Sequence, residues 1–268
     1  MKKKFKLGVI GAGFMASAII KGALSSGFLS PTDITVYDVN AEKLNEMEKI
    51  GIKASATNYD LAENSEFILF AIKPQESTIV LNSIKETNAL KFISIMAGVK
   101  KSKIKAYFPD SFVARCMPNT PCSIQRGAIG VDLSDYNSEN DLNFIKNLLS
   151  NLGSVVSVPE NLLGAVTGVS GSSPAYFYTF INGIIKAGVK NGLDYSQAKT
   201  LAVSTMIGAG EMIKTNENKS IEELISAVCS KGGTTIEAIK VYSDNNLDEI
   251  TENAVSACIK RSNELENL

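Results

Sequence analysis

The chain of 268 residues contains no histidine. That absence removes the imidazole base, the serine–histidine nucleophile and the histidine-ligated metal. Any chemistry must run on hydroxyls, backbone amides, lysines, carboxylates or a cofactor. Cysteine is scarce. Cys116, Cys122, Cys229 and Cys258 show no paired metal-like spacing and read as reduced, intracellular thiols, so no metal site is expected. No stretch approaches the roughly 20 apolar residues of a membrane span. The basic start, Met1-Lys-Lys-Lys-Phe-Lys6, is not followed by an apolar run of signal-peptide type, so a cytoplasmic protein with no membrane partner is expected. A net charge of −1 argues against nucleic acid as a partner. Repeats, linkers and low-complexity runs are also missing.

What is present is the composition of a soluble globular protein, 44% hydrophobic and 21% charged, with length enough for two domains. The first half alternates strand and helix. Phe5–Ile10 reads as a short buried strand, followed at once by Gly11-Ala12-Gly13-Phe14-Met15-Ala16. This is a G-x-G-x-x-A dinucleotide fingerprint. Gly11 makes the tight turn, Gly13 lets the backbone approach a pyrophosphate, and Ala16 permits close helix–strand packing. A helix through Ile19, Ile20, Ala23 and Leu24 follows. The second strand, Ile34–Asp38, then ends in an acid placed where a ribose hydroxyl would bind.

The alternation continues. Leu44 and Met47 mark a helix, 51–54 a short strand, and 58–63 a turn or short helix. Phe67–Ile72 is an unbroken apolar run of the buried parallel type, stopped by Lys73-Pro74. Phe92–Gly98 and Phe112–Met117 are two more such runs, and the second leads into Pro118-Asn-Thr-Pro121. Ligands of an open parallel sheet lie beyond the carboxyl ends of its strands. The strand ends here carry Gly11–Ala16, Asp38, Lys73-Pro74 and Ala97-Gly98. Lys73 is either cofactor-facing or a solvated loop lysine. Strands at Ala128–Val131 and Val155–Val158 flank a helix marked by Leu142, Ile145, Leu148 and Leu149.

After Pro159 everything reads helical. The expected division is a Rossmann dinucleotide-binding domain over 1–159 and an all-helical domain over 160–268, an α/β fold overall. Ser170-Gly-Ser-Ser-Pro174 precedes a helix apolar nearly all round, from Tyr176, Phe177 and Tyr178 through Phe180, Ile181, Ile184, Ile185 and Val189. Such a helix must be buried on several sides, which predicts a dimer through this half. Small residues at Ala198, Ala202 and Ala209 permit close helix approach. A further helix marked by Ile221, Leu224 and Val228 stops at Cys229. Ser230, Lys231, Gly232 and Gly233 follow, and then Thr234 and Thr235 open another helix. The loop reads either as an ordinary turn with a threonine cap or as an anion site built on a helix N-terminus.

Five segments together point to a family. Ile10–Met15, Ala71-Ile72-Lys73-Pro74-Gln75, Arg115–Pro121, Ser170–Tyr176 and Ser230–Thr235 make the chain resemble pyrroline-5-carboxylate reductase in order and spacing, over residues 10 to about 240. The first segment is shared with many dehydrogenases, whereas the last is the specific one. Two positions depart from the pattern: Lys231 replaces the usual proline of Ser-Pro-Gly-Gly, and Ser173 replaces the second glycine of Ser-Gly-Ser-Gly-Pro.

The resemblance implies a Rossmann domain with a helical dimerisation domain, dimers that often assemble into larger rings, and NADPH or NADH as cofactor. It implies cofactor contacts at Ile10, Gly11, Ala12, Gly13, Phe14, Met15, Asn58, Ala71, Ile72, Lys73 and Pro74. Ser230 and the backbone of Gly232, Gly233 and Thr234 would hold the carboxylate of pyrroline-5-carboxylate, and Thr235 would bond its ring nitrogen. Many members of the family use NADPH. Asp38, with Val39 and Asn40 next and Lys43 as the nearest cation, points instead to NADH being used at least as well. Two alternatives share the first half of the chain. A β-hydroxyacid dehydrogenase needs a lysine and an asparagine one turn apart on the long helix, where this chain has Phe177 and Ile181. A non-catalytic dinucleotide sensor would have no use for Ser230–Thr235.

Overall fold

The computed structural model describes residues 3–266. Its contacts divide into one unit that ends at Ser172 and resumes at Ala257, and another spanning Ser173–Ser256. The first unit is built on eight strands: β1 (Phe5–Ile10), β2 (Ile34–Tyr37), β3 (Lys53–Ala54), β4 (Ser65–Phe70), β5 (Lys91–Ser94), β6 (Phe112–Met117), β7 (Gly127–Asp132) and β8 (Gly153–Ser157). They form one sheet in the order β3-β2-β1-β4-β5-β6-β7-β8. Neighbours are parallel, with Leu7 beside Ile34 and Val9 beside Leu69, except that β7 runs antiparallel to β6. The order reverses direction between β1 and β4, and there an open α/β sheet leaves a crevice at its carboxyl edge.

The helices of this unit are α1 (Phe14–Ser25), α2 (Ala41–Lys49), α3 (Asn58–Asn64), α4 (Ser77–Ile84), α5 (Lys101–Lys105), α6 (Glu139–Ser150) and α7 (Leu163–Val166). They cover both faces of the sheet, so its strands carry apolar runs rather than alternation. One core gathers Val9, Ile19, Ile20, Phe67, Ile129 and Leu148, and the other gathers Ile10, Ile68, Phe70, Phe92 and Ile104. Gly8 belongs to this packing, since a Cβ there would lie 2.5 Å from Leu61 of α3.

Strands stop near Pro159 as expected, but residues 160–172 remain with the sheet. A Cβ on Gly130 of β7 would meet Val166 at 2.6 Å, so α7 lies directly on the strand. The chain's end returns to the same unit. Gly98 and Gly164 make room for it, their Cβ positions falling against the Leu265 backbone and the Asn263 side chain. A buried arginine completes this arrangement. Arg115 of β6 is 2% exposed and donates to Glu160 at 3.2 Å and to Glu266 at 2.5 Å. Asn119, a few residues on, accepts from the Ala128 amide and donates to the Ser170 carbonyl. The Arg115–Pro121 segment thus binds the first unit's outlying pieces together.

The second unit holds α8 (Ser173–Lys190), α9 (Tyr195–Thr215), α10 (Ile221–Val228), α11 (Thr234–Asp244) and the first part of α12 (Leu247–Leu265). Helices α8 and α9 pack through Ile185, Ala198 and Ala202, with Gly188 close against Ala198. Ile181 packs partly against this core, whereas Phe177, Tyr178, Phe180 and Ile184 of α8 stand exposed. Beside them runs an apolar groove of about 690 Å³, lined by Phe177, Phe180, Ile184, Leu201, Met206 and Ile213 among others.

Candidate cofactor cleft and anion-binding loop

The turn after β1 is shaped by two glycines for different reasons. Gly11 has φ +97°, and a Cβ there would fall 2.5 Å from the Ala71 carbonyl, so only glycine passes. Gly13 is the N-cap of α1, and a Cβ on it would meet nothing within 4 Å. No side chain caps α1. Five other helices are closed by side chains, Asn40, Thr57, Ser138, Asp194 and Ser220 capping α2, α3, α6, α9 and α10. Helices α4, α5 and α7 start without a side-chain cap, on Glu76, Lys100 and Leu162 rather than on a glycine. The free amides and positive dipole end of α1 therefore face open space over a bare glycine, a cradle shaped for a pyrophosphate.

Next to this turn, at the switch point, lies a cleft of about 680 Å³. Ile10, Gly11, Gly13, Asp38, Asn58, Ala71, Ile72 and Lys73 line it, which brings together eight of the residues expected there. Ala12 takes part through its amide, which donates to Asp38 Oδ2 at 2.7 Å. Phe14, at the head of α1, is solvent-exposed and Met15 packs against the core, so neither lines the cleft. Pro74 begins the short turn after Lys73 and also lies off the lining.

Ala97 and Gly98 are elsewhere. Strand β5 stops at Ser94, three residues short of Ala97, and Gly98 with φ +73° sits against the backbone of Leu265. Gly98 admits the end of the last helix, and neither Ala97 nor Gly98 is among the residues lining the cleft. Sequence reasoning missed Tyr37, Glu76, Ile79 and Val80 as lining residues. Ile79 and Val80 sit one helical turn into α4, and only the fold brings that turn to the crevice.

Asp38 follows β2 with its carboxylate largely buried. Burial pushes its pKa up, but the Ala12 and Asn40 amides and the Lys43 ammonium outweigh this and hold it below the ordinary carboxylate value. Both oxygens are engaged: Oδ2 by Ala12 and, at 3.4 Å, by Lys43; Oδ1 by the Asn40 amide at 2.8 Å.

In the second unit, Ser230, Gly232, Gly233, Thr234 and Thr235 come together in a single turn. The Gly233 amide donates to the Ser230 carbonyl at 2.9 Å. Gly232 has φ +73°, and a Cβ on Gly233 would strike Ser230 Oγ at 2.5 Å, so both glycines are required. The N-cap of α11 is Gly233 and no side chain closes the helix start. Thr234 and Thr235 are its first two residues, which sets aside the reading of a threonine cap. Like α1, α11 presents uncapped amides, and the exposed Thr235 hydroxyl lies beside them.

A doubly wound sheet with a glycine turn at its switch point and an acid after its second strand is the architecture of a dinucleotide-binding oxidoreductase. Similarity to known proteins narrows the class. Residues 6–98 match the family model for NADP oxidoreductase, coenzyme F420-dependent, and residues 160–265 match pyrroline-5-carboxylate reductase dimerisation. The pyrroline-5-carboxylate reductase of Synechocystis sp. is 36% identical over 262 residues, 97% of this chain and 98% of the relative. The solved structure of a pyrroline-5-carboxylate reductase from Coxiella burnetii superimposes with TM-score 0.89 at 31% identity, covering 98% of this chain and 99% of that one. The Plasmodium falciparum pyrroline carboxylate reductase, solved with NADP bound, gives TM-score 0.88 at 28% identity over 99% of this chain and 100% of that one. The chain belongs to the pyrroline-5-carboxylate reductase family.

Proposed function

We propose that the chain reduces 1-pyrroline-5-carboxylate to L-proline with NADH or NADPH, the last step of proline synthesis, and that its two halves divide the work. Residues 1–159 serve the dinucleotide, and residues 160–268 serve the substrate and dimerisation. The observation that carries this reading is the pair of helix starts with glycine at the N-cap and no side-chain cap, one on the Gly11–Gly13 turn and one on the Ser230–Thr235 loop. Each matches an anion of the reaction: the pyrophosphate for the first, the substrate carboxylate for the second.

The nicotinamide, when bound, supplies the hydride that saturates the C=N carbon. The chain's own share is placement. Gly11, Gly13 and the amides of α1 hold the pyrophosphate, while Asp38 holds the ribose. Ile10, Asn58, Ala71, Ile72 and Lys73 complete the wall. The amides of Gly232, Gly233 and Thr234, with Ser230, grip the substrate carboxylate, and Thr235 orients the ring nitrogen. That nitrogen ends as an amine carrying one more proton. It is basic enough to arrive protonated, so orientation and one hydrogen bond suffice where no imidazole exists.

The exposed apolar side chains of α8 and the groove beside them make a face that a second copy covers, so the working form is a homodimer, or a larger ring of dimers, in the cytoplasm. The β-hydroxyacid dehydrogenase reading finds no support on α8, where Phe177 and Ile181 line that apolar groove in place of a lysine and an asparagine. Steady-state absorbance at 340 nm tests the proposal. Reduced nicotinamide should disappear only when pyrroline-5-carboxylate is added, and no loss above background would overturn it.

A further inference from the structure

The Asp38 carboxylate does more than line the cleft. Two hydrogen bonds stitch the end of β2 to the glycine turn: Gly11 N–H to the Tyr37 carbonyl at 2.8 Å, and Ala12 N–H to Asp38 Oδ2 at 2.7 Å. The Asn40 amide holds the other oxygen. A carboxylate fixed at both oxygens cannot swing aside for a visitor. Its side chain is 8% exposed, and the nearest cation, Lys43, already pairs with it. Among the described residues, Lys73 is the other cation on the cleft wall and no arginine lines it.

A ribose diol offers two hydroxyl donors, which a fixed carboxylate accepts. A 2′-phosphate brings further negative charge and acceptor oxygens to the same place, where the cation beside Asp38, Lys43, already pairs with that carboxylate. We infer that Asp38 makes this chain prefer NADH to NADPH, and that it does so as part of the glycine turn, holding the turn in its binding shape through the Ala12 amide. The inference rests on the reading of this cleft as the cofactor's.

Charge and bracing separate by substitution. Asp38→Asn keeps an acceptor oxygen for the Ala12 amide and removes the charge. Asp38→Ala removes both. Equilibrium titration of the full-length protein, followed by the fluorescence of the reduced nicotinamide, measures binding without turnover. Wild type should bind NADH at least tenfold more tightly than NADPH. Asp38→Asn should bring the two dissociation constants within about threefold, mainly by tightening NADPH. Asp38→Ala should weaken NADH about tenfold or more. In the nucleotide-free protein, it should also remove hydrogen-exchange protection at the Ala12 amide, which Asp38→Asn retains.

Equal or tighter NADPH binding by wild type overturns the selectivity. Unchanged Ala12 protection in Asp38→Ala overturns the brace. If that variant does not fold, the wild-type ratio and Asp38→Asn still decide the selectivity, and loss of Ala12 protection in Asp38→Asn would count against the brace. Failure of wild type to bind either nucleotide would overturn the cofactor reading itself, and this inference with it.

Discussion

The amide of Gly233 donates to the carbonyl of Ser230 at 2.9 Å, closing a four-residue turn whose third position, Gly232, has φ +73°. Positive φ at the third position alone makes this a type II turn, in which proline is favoured at the second. Lys231 occupies that second position, just ahead of an uncapped helix start whose dipole disfavours a cation. Lys231→Pro should therefore stabilise the protein by about 0.4–1 kcal/mol through the unfolded chain, roughly 1–3 °C in Tm. Differential scanning calorimetry checks it, and a lower Tm would mean that the turn needs the Lys231 amide or a different φ.

Thr235 follows one residue into α11 and its hydroxyl caps nothing. A positioning role for the ring nitrogen predicts that Thr235→Ala lowers kcat by about 10²-fold. Tm should stay within about a degree or two, because no cap is lost. Thr235→Ser should keep most of the activity. Disturbing the carboxylate grip, for example with Gly232→Ala at its positive φ, should act mainly on KM, since that contact is felt in ground and transition states alike. Steady-state kinetics and melting curves on the three variants separate these effects. Preserved kcat in Thr235→Ala would remove Thr235 from the mechanism.

Much of this is legible in the residues themselves. The β1 turn, the acid after β2 and the buried runs of β4 and β6 follow from residue types whose local physics admits few alternatives. A small residue after a strand signals close approach without saying by what, and at Gly98 the neighbour in the fold is Leu265. Threonine after two glycines looks like a cap, yet capping depends on which residue leaves the helical region first, and Gly233 does. The lining role of Ile79 and Val80 depended on where α4 packs, which no local pattern encodes.

Arg115 tests the first unit's integrity. It is buried with Glu160 and Glu266 as partners, Glu266 from the chain's far end. Removing it leaves carboxylates facing an emptied site, so Arg115→Ala should cost about 3 kcal/mol, the lower end for a broken buried pair because Glu160 is partly solvated. Urea unfolding reads this directly. A loss under about 1 kcal/mol would show that the cluster contributes little.

Acid should unfold the protein through another cluster. Lys101 binds Asp132 at 3.1 Å, Ser134 at 2.9 Å and Asp135 at 2.9 Å. Burial raises both carboxyls, but for Asp132 the Ser134 bonds and Lys101, and for Asp135 Lys105 and Lys101, more than offset it and hold each below its ordinary value. A folded pKa below the unfolded one gives stability that is fully present above about pH 4 and is lost as pH falls further. Urea midpoints should therefore hold level down to about pH 4 as far as this pair is concerned, and decline below it. Lys101→Met should lower the neutral midpoint and flatten part of the acid decline. A decline of unchanged slope would assign acid sensitivity to other groups.

Self-association has a direct test in the exposed face of α8. Ile184→Glu, placed in the apolar groove, should convert the dimer to monomer in sedimentation velocity at micromolar concentration. A wild-type protein that is itself a stable, active monomer would refute the dimer.

This chain moves hydride from a nicotinamide to the ring carbon of a cyclic imine. Reduced nicotinamide dinucleotide carrying deuterium at both positions of the reactive ring carbon, incubated with pyrroline-5-carboxylate and the protein, provides the test. Proton NMR of the product should show proline with deuterium at the former imine carbon, in proportion to cofactor consumed. Cofactor oxidation without labelled proline, or no oxidation at all, would contradict the account.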